Sequence, residues 1–273
     1  KNSIFSNKEE IAISGESLRE AVALVFQELA KNVDKDEDLL INSFQTFIGY
    51  TARGEKGQFF TPVSAVDMMV RIINPKSGET VVDPACGVGT FLTKSISHSN
   101  GGIDVTGIDL DIDTIKVFEA SIEWFGIERA TSFQLDSLDI NNYPKGLKEI
   151  FDKGTDIILT NPPFGSNIPV KSPKILSQFS FGKVWDKNSR GTWEPTDKMR
   201  KKQDPQVLFV ELCVKFLKAN GRMGIVLPES ILGGSSNGYV LDFLRAHGAI
   251  TGIVDCPRTL FQPSTDTKTV ILF

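Results

Sequence analysis

The chain has little of what a disulfide-stapled or metal-built protein needs. Three cysteines, Cys86, Cys213 and Cys256, lie far apart among 273 residues, and only two histidines, His98 and His247, accompany them. That scarcity speaks against a disulfide framework and against a zinc site, so no metal is expected. No apolar run approaches the roughly 18 residues of a membrane span, and the opening KNSIFSNKEE carries no signal-peptide pattern. A cytoplasmic protein without membrane contact is therefore expected. An excess of positive charge is missing too. With 30 Lys+Arg against 34 Asp+Glu the net charge is −4, which argues against a uniformly basic nucleic-acid binder. The chain begins without Met and stops in TKTVILF, as expected for a piece of a longer protein.

What is present is ordinary globular material, 40% hydrophobic and 23% charged, enough for one sizeable α/β domain with an appendage. Residues 1–56 read as helical. In SLREAVALVFQELAK, Leu18, Val22, Val25 and Leu29 recur at helical spacing behind Ser17 as an N-cap. From about Thr80, the β-branched runs ETVVD, IDVTGID, ATSFQLD, TDIILT, GRMGIVLP, AITGIVD and KTVILF alternate with helical stretches. Alternation of this kind predicts βαβ units and a mostly parallel sheet. Between residues 166 and 202 the periodicity disappears, and that segment reads as a long insertion.

The first predicted strand ends in DPACGVGTFL, where Gly87 and Gly89 allow a sharp turn and close backbone approach to a ligand ahead of a helix N-terminus. A dinucleotide fingerprint would want a third glycine where this chain has Leu92, which lowers the case for hydride transfer with NAD. Asp109 ends the second strand, where an acid can accept both hydroxyls of a ribose. Asp136 closes the third, placed to receive an exocyclic amine. The fourth runs into Asn161, Pro162, Pro163 and Phe164, and two prolines in succession cannot continue a ladder, so they form a stiff exit.

In order, GQFFTP, DPACGVGTFL, GIDLD, QLDSLD, NPPFG and GRMGIVLPESIL resemble the motifs of S-adenosylmethionine-dependent DNA N6-adenine methyltransferases, above all the modification subunit of type I restriction enzymes. The closing LFQPSTDTKTVILF is similar to that family as well. The resemblance covers about residue 45 to 273 outside the insertion. It implies a Rossmann-like class I methyltransferase sheet, mostly parallel with an antiparallel last strand, over residues 57–273, with residues 1–56 as the remnant of a helical domain. It also implies S-adenosylmethionine as cofactor. Gln58, Phe59, Phe60, Thr61 and Pro62 would fold over its methionine end, the Thr61 hydroxyl reaching the carboxylate. Asp83 would lie near its amino group, Gly87, Val88, Gly89 and Thr90 beneath methionine and ribose, Asp109 on the ribose hydroxyls, and Asp136 on the adenine amine. Many members have Thr-Gly-Gly where this chain has Val88-Gly89-Thr90.

Methylating an adenine amine requires its nitrogen to lose conjugation with the ring. The Asn161 side-chain oxygen and the Pro162 carbonyl can accept both amine hydrogens, the prolines hold those acceptors rigid, and Phe164 gives the extruded base a face to stack on. Residues 166–202 hold nine basic side chains against three acidic ones, a net +6. With Phe179, Phe181, Trp185 and Trp193 interleaved, the segment reads as a surface for phosphate contact and base stacking. Lys183, Lys187, Arg190, Lys198, Arg200, Lys201 and Lys202 are its candidate DNA contacts. Double-stranded DNA is thus the expected partner. By resemblance a specificity subunit and a restriction subunit join it, with two modification subunits per specificity subunit. Two competing readings are a protein-glutamine or ribosomal RNA methyltransferase with a similar NPPF loop, and a noncatalytic DNA-binding module on the same fold.

Overall fold

The computed structural model describes residues 61–164, 168–234, 237–262 and 266–273, with the backbone alone at Trp124. The expected helical segment 1–56 lies outside the described residues. All seven strands read from the sequence form, and they join one sheet in the spatial order Ala130–Gln134, Asp104–Asp109, Thr80–Asp83, Thr155–Thr160, Leu217–Pro228, Thr269–Leu272 and Ile253–Asp255. Before them runs α1 (Val63–Ile73). Then β1 (Thr80–Asp83), α2 (Thr90–His98), β2 (Asp104–Asp109), α3 (Ile112–Phe125), β3 (Ala130–Gln134), α4 (Lys145–Lys153) and β4 (Thr155–Thr160) alternate as predicted. After β4 come a short α5 (Pro173–Leu176), β5 (Lys183–Lys187), β6 (Trp193–Met199) and α6 (Pro205–Phe216). The sheet is completed by β7 (Leu217–Pro228), α7 (Glu229–Gly233), α8 (Gly238–His247), β8 (Ile253–Asp255) and β9 (Thr269–Leu272). The run β3 to β7 is parallel, and β9, last in sequence, lies antiparallel between β7 and β8.

Strands buried on both faces need apolar residues at every position, and successive side chains must then serve opposite layers. In β4, Ile157 and Leu159 join one apolar layer with Val66 and Met69 of α1, Phe91 and Leu92 of α2 and Phe118 of α3. Ile158 points the other way, into a layer with Leu147 of α4, Leu208 and Leu212 of α6, and Val240 of α8. Each is fully buried, which stabilises the fold by about 1.5–3 kcal/mol per side chain. With β4 held from both faces, the residues that follow it leave the sheet at a fixed point.

The segment expected to lack periodicity is folded. β5 and β6 pair as an antiparallel hairpin, Lys187 opposite Trp193, and the Asn188 side-chain oxygen accepts from the Arg190 and Thr192 N–H groups in the turn. Nor are its aromatics free for bases. Phe179 and Phe181 are core residues, and Trp185 packs against Phe181, Tyr239 and Phe243. The buried Glu211 carboxylate pins the segment to α6 by accepting from Ser180 N, Ser180 Oγ and Phe181 N at 2.7–2.9 Å. The sequence showed no strand here because charged residues outnumber apolar ones in both, Lys183, Asp186 and Lys187 against Val184 and Trp185, and Glu194, Asp197 and Lys198 against Trp193 and Met199.

Candidate active site

Parallel strands deliver their carboxyl ends to one edge of the sheet, and the candidate residues gather there. Asp83 ends β1, almost wholly buried, and its Oδ1 accepts from Ala85 N at 3.0 Å. Burial pushes its pKa up to about 7, partly opposed by the nearby Thr160 hydroxyl and the Ala85 N–H, with the Asp109 charge adding to the rise. Thr160 lies near enough to favour the carboxylate, yet the pair does not reach hydrogen-bond geometry. Asp83 Oδ2 and Thr160 Oγ1 both stay buried without a partner.

Asp109, at the end of β2, accepts from Gly87 N at 2.8 Å through Oδ2 and from Asp111 N at 2.9 Å through Oδ1. Burial raises its pKa despite those donors. Asp136 lies two residues beyond β3, accepts from Leu138 N at 2.9 Å, and is also raised by burial. Three neighbouring strand tips thus present acids that a donor-rich ligand would relieve. Between the first two runs the glycine turn. Gly89 has φ +81°, and a Cβ there would sit 2.0 Å from Phe118 Cδ2. Val88 and Thr90 are buried beside it.

Sequence inspection missed the ties that hold these tips together. Ser137 Oγ donates to the Pro84 carbonyl at 2.6 Å, and the buried Tyr143 hydroxyl donates to the Ser137 carbonyl, so the loop after β3 is fastened to the loop after β1. Ser137 and Pro84 lie in QLDSLD and DPACGVGTFL, but Tyr143 lies outside every motif.

Asn161 leaves β4 half-buried. Its Nδ2 donates to Thr61 Oγ1 at 2.9 Å, while its Oδ1 is buried with no partner. Pro162 is buried and Pro163 half-buried. The Phe164 ring is 5% exposed and meets Phe261 edge-on at 5.7 Å, so in this conformation it has no free face for a base. Pro62 caps α1 by accepting from Ala65 N and Val66 N. Gln58, Phe59 and Phe60 lie outside the described residues.

The basic candidates divide. Lys187, Arg190, Lys198, Lys201 and Lys202 are exposed, Lys187 lying over the Trp193 ring at 5.3 Å. Lys183 and Arg200 are half-buried. Arg200 donates from Nε to the Lys183 carbonyl at 3.0 Å and stacks over Tyr239, which makes it a strut of the hairpin. Among the described residues no cluster of His, Cys, Asp and Glu could hold a metal ion, and no helix is long and apolar enough to cross a membrane.

Comparison with known proteins agrees with this geometry. The family model described as N-6 DNA Methylase matches residues 35–273. The chain is 29% identical over 236 residues to the methylase subunit of the type I restriction enzyme EcoEI from Escherichia coli, covering 81% of this chain and 42% of that protein. It is 21% identical over 252 residues to the type II methyltransferase M.VspI from a Vibrio species, covering 90% of this chain and 56% of that one. The chain therefore spans about half the length of these curated relatives. In fold it matches the crystal structure of a type I restriction-modification methyltransferase subunit from Streptococcus thermophilus, with a TM-score of 0.70 at 24% identity, over 99% of this chain and 56% of that one. A family model that takes in the sheet, the glycine turn and the Asn-Pro-Pro-Phe exit together places the chain in the N-6 DNA methylase family of S-adenosylmethionine-dependent methyltransferases.

Proposed function

We propose that this chain carries the catalytic domain of a type I modification subunit that methylates N6 of an adenine extruded from double-stranded DNA. The observation that carries the reading is the buried, unpartnered Asn161 Oδ1 at the rigid exit of β4. Such an atom costs stability unless a donor meets it, and an exocyclic amine is a donor.

The residues present fit the cofactor. The orphaned Asp83 Oδ2 suits a cationic amino group, Asp109 and Asp136 suit hydroxyl and amine donors, and Gly87, where an added Cβ would meet nothing within 4 Å, leaves room beside them. S-adenosylmethionine supplies an electrophilic methyl on a sulfonium. Asn161 Oδ1 and the Pro162 carbonyl accept the two amine hydrogens and draw the nitrogen toward a tetrahedral, nucleophilic shape. The double proline fixes both acceptors before the base arrives, so no reorganisation accompanies transfer. Asn161 is not a base, and the amine proton leaves to solvent. Phe164 stacks the base once its ring swings away from Phe261. That contact is worth about 1–3 kcal/mol, comparable to the few kcal/mol that extrusion costs.

Lys187, Arg190 and Lys198 on the hairpin, Lys183 and Arg200 at its base, and Lys201 and Lys202 just beyond it hold phosphates near the catalytic exit. Sequence choice comes from a specificity subunit, with two modification subunits to each, and a restriction subunit completes the system. The test is methyl incorporation from labelled S-adenosylmethionine by the assembled complex, with DNA, RNA and protein offered separately. Incorporation into DNA at N6 of adenine, lost by about 10²–10³ in Asn161→Ala, is expected. Incorporation into RNA or protein alone, or full activity of the variant, overturns the reading.

A further inference from the structure

An asparagine amide has two nearly isosteric ends, and only one of them serves an amine. With Oδ1 forward, Asn161 accepts from the target nitrogen; turned by 180°, it opposes one NH2 group with another. The backbone cannot decide between the two, so something must hold the rear of the amide.

We infer that Thr61 is the positioning residue that does so, its hydroxyl oxygen taking the Asn161 Nδ2 hydrogen and leaving Oδ1 to face the reacting amine. The inference rests on the function proposed above. Three observations carry it. The contact is 2.9 Å across a separation of 100 residues, which no local preference would produce. Thr61 is 9% exposed, so water does not compete readily for the bond. On the opposite end of the same amide, Oδ1 is buried with no partner, so the amide is engaged at its rear and its acceptor end is left unpaired.

Both partners are also held from behind. Each precedes a proline, Thr61 before Pro62 and Asn161 before Pro162, and a following proline confines the preceding backbone to extended conformations. Pro62 opens α1, anchored through Val66, Met69, Val70 and Ile73, while β4 is locked into both apolar layers. Two rigid elements therefore bring a hydroxyl and an amide together. A hydroxyl can also donate, which would permit the reversed amide. Only the observed orientation lets target amine, amide and hydroxyl bond in series, so substrate and Thr61 select the same state.

The test compares Thr61→Val, which keeps the shape and removes the hydroxyl, with Thr61→Ser, which restores it. Single-turnover methylation is measured in the assembled complex on DNA from a methylation-deficient cell, and the Asn161 side-chain NH2 signals are followed by NMR in the chain itself. Expected are a roughly 10- to 100-fold slower transfer in Thr61→Val, recovery to within about threefold in Thr61→Ser, and loss of the hydrogen-bonded NH2 signature in the valine variant alone. Full speed in Thr61→Val, equal slowing in both variants, or NH2 signals unmoved by the valine would overturn the role. A wild-type complex that methylates no DNA, with the NH2 signature intact, would overturn the proposed function while upholding the Thr61 contact.

Discussion

Replacing Asp83 with asparagine separates stability from function at the strand tips. Burial lifts this carboxyl to about 7 from an ordinary 3.8, so the folded chain holds its proton more tightly than the unfolded chain does. The stability linked to that proton is fully present below about pH 4 and is lost as the pH rises through about 7. At one pKa unit per about 1.4 kcal/mol, the loss at pH 8 has an upper limit on the order of 4 kcal/mol, which relaxation and water entry reduce. Asparagine stays neutral at every pH, keeps an oxygen for Ala85 N, and turns an NH2 toward the orphaned Thr160 Oγ1. Urea unfolding should show Asp83→Asn more stable than the native chain by about 1–3 kcal/mol at pH 8 and no more stable at pH 4. Calorimetry should show weaker S-adenosylmethionine binding, since the cofactor's amino group loses its counter-charge. A variant less stable at pH 8, or a stability difference independent of pH, would refute the claim that Asp83 is charged and uncompensated in the free protein.

Two further outcomes test the turn and the hairpin. Gly89→Ala forces a side chain into φ +81° and onto the Phe118 ring, so a loss of about 3 kcal/mol or more in unfolding free energy is expected, and an unchanged melting temperature would show that the turn relaxes. Replacing Lys187, Lys198, Lys201 and Lys202 with glutamine should lower the log–log salt slope of DNA binding by about 0.9 per lost phosphate contact without changing sequence preference. An unaltered slope would return the hairpin to a solvated surface with no part in DNA binding.

The sheet was legible because most of its strands carry apolar runs bounded by turn residues, and the alternation with helices left one sensible arrangement. Asp83 and Asp109 were legible as the last residues of β1 and β2, whereas Asp136 lies two residues beyond β3 and was legible only through the QLDSLD motif. The hairpin escaped because its pairing joins residues such as Asp186 and Glu194, whose polar faces give no period to read. The buried aromatics were misassigned on similar grounds. Phe179, Phe181 and Trp185 lie in a basic stretch, but they serve the layer under α6 and α8, which no local window contains. The Thr61 to Asn161 contact was invisible because it depends on where two separate elements end.

Acids at the tips of β1 to β3 and acids at the amino edge of the sheet are treated in opposite ways, and this contrast supports the site proposed at the carboxyl edge. At the amino edge, Arg222 holds Glu79 below the usual carboxylate range through a paired contact of 2.8 Å, and Arg129 does the same for Asp104. Burial pushes Asp156 upward there, but the Thr80 N–H and hydroxyl and the Lys218 ammonium outweigh it and bring the pKa down. At the carboxyl edge, Asp83, Asp109 and Asp136 are all raised, burial being the first cause in each. Lys268 pairs Glu229 and Asp255 at the carboxyl ends of β7 and β8, so basic partners reach that edge too, yet among the described residues none pairs with Asp83, Asp109 or Asp136 beside the glycine turn. An arrangement built for stability alone would have paired these three as well. Leaving three buried acids without a basic partner and the Asn161 oxygen without a donor costs stability in the free protein, and a ligand rich in hydrogen-bond donors would offset that cost. Binding of S-adenosylmethionine at this edge should accordingly raise the melting temperature, and the rise should be smaller in Asp83→Asn, whose counter-charge is gone.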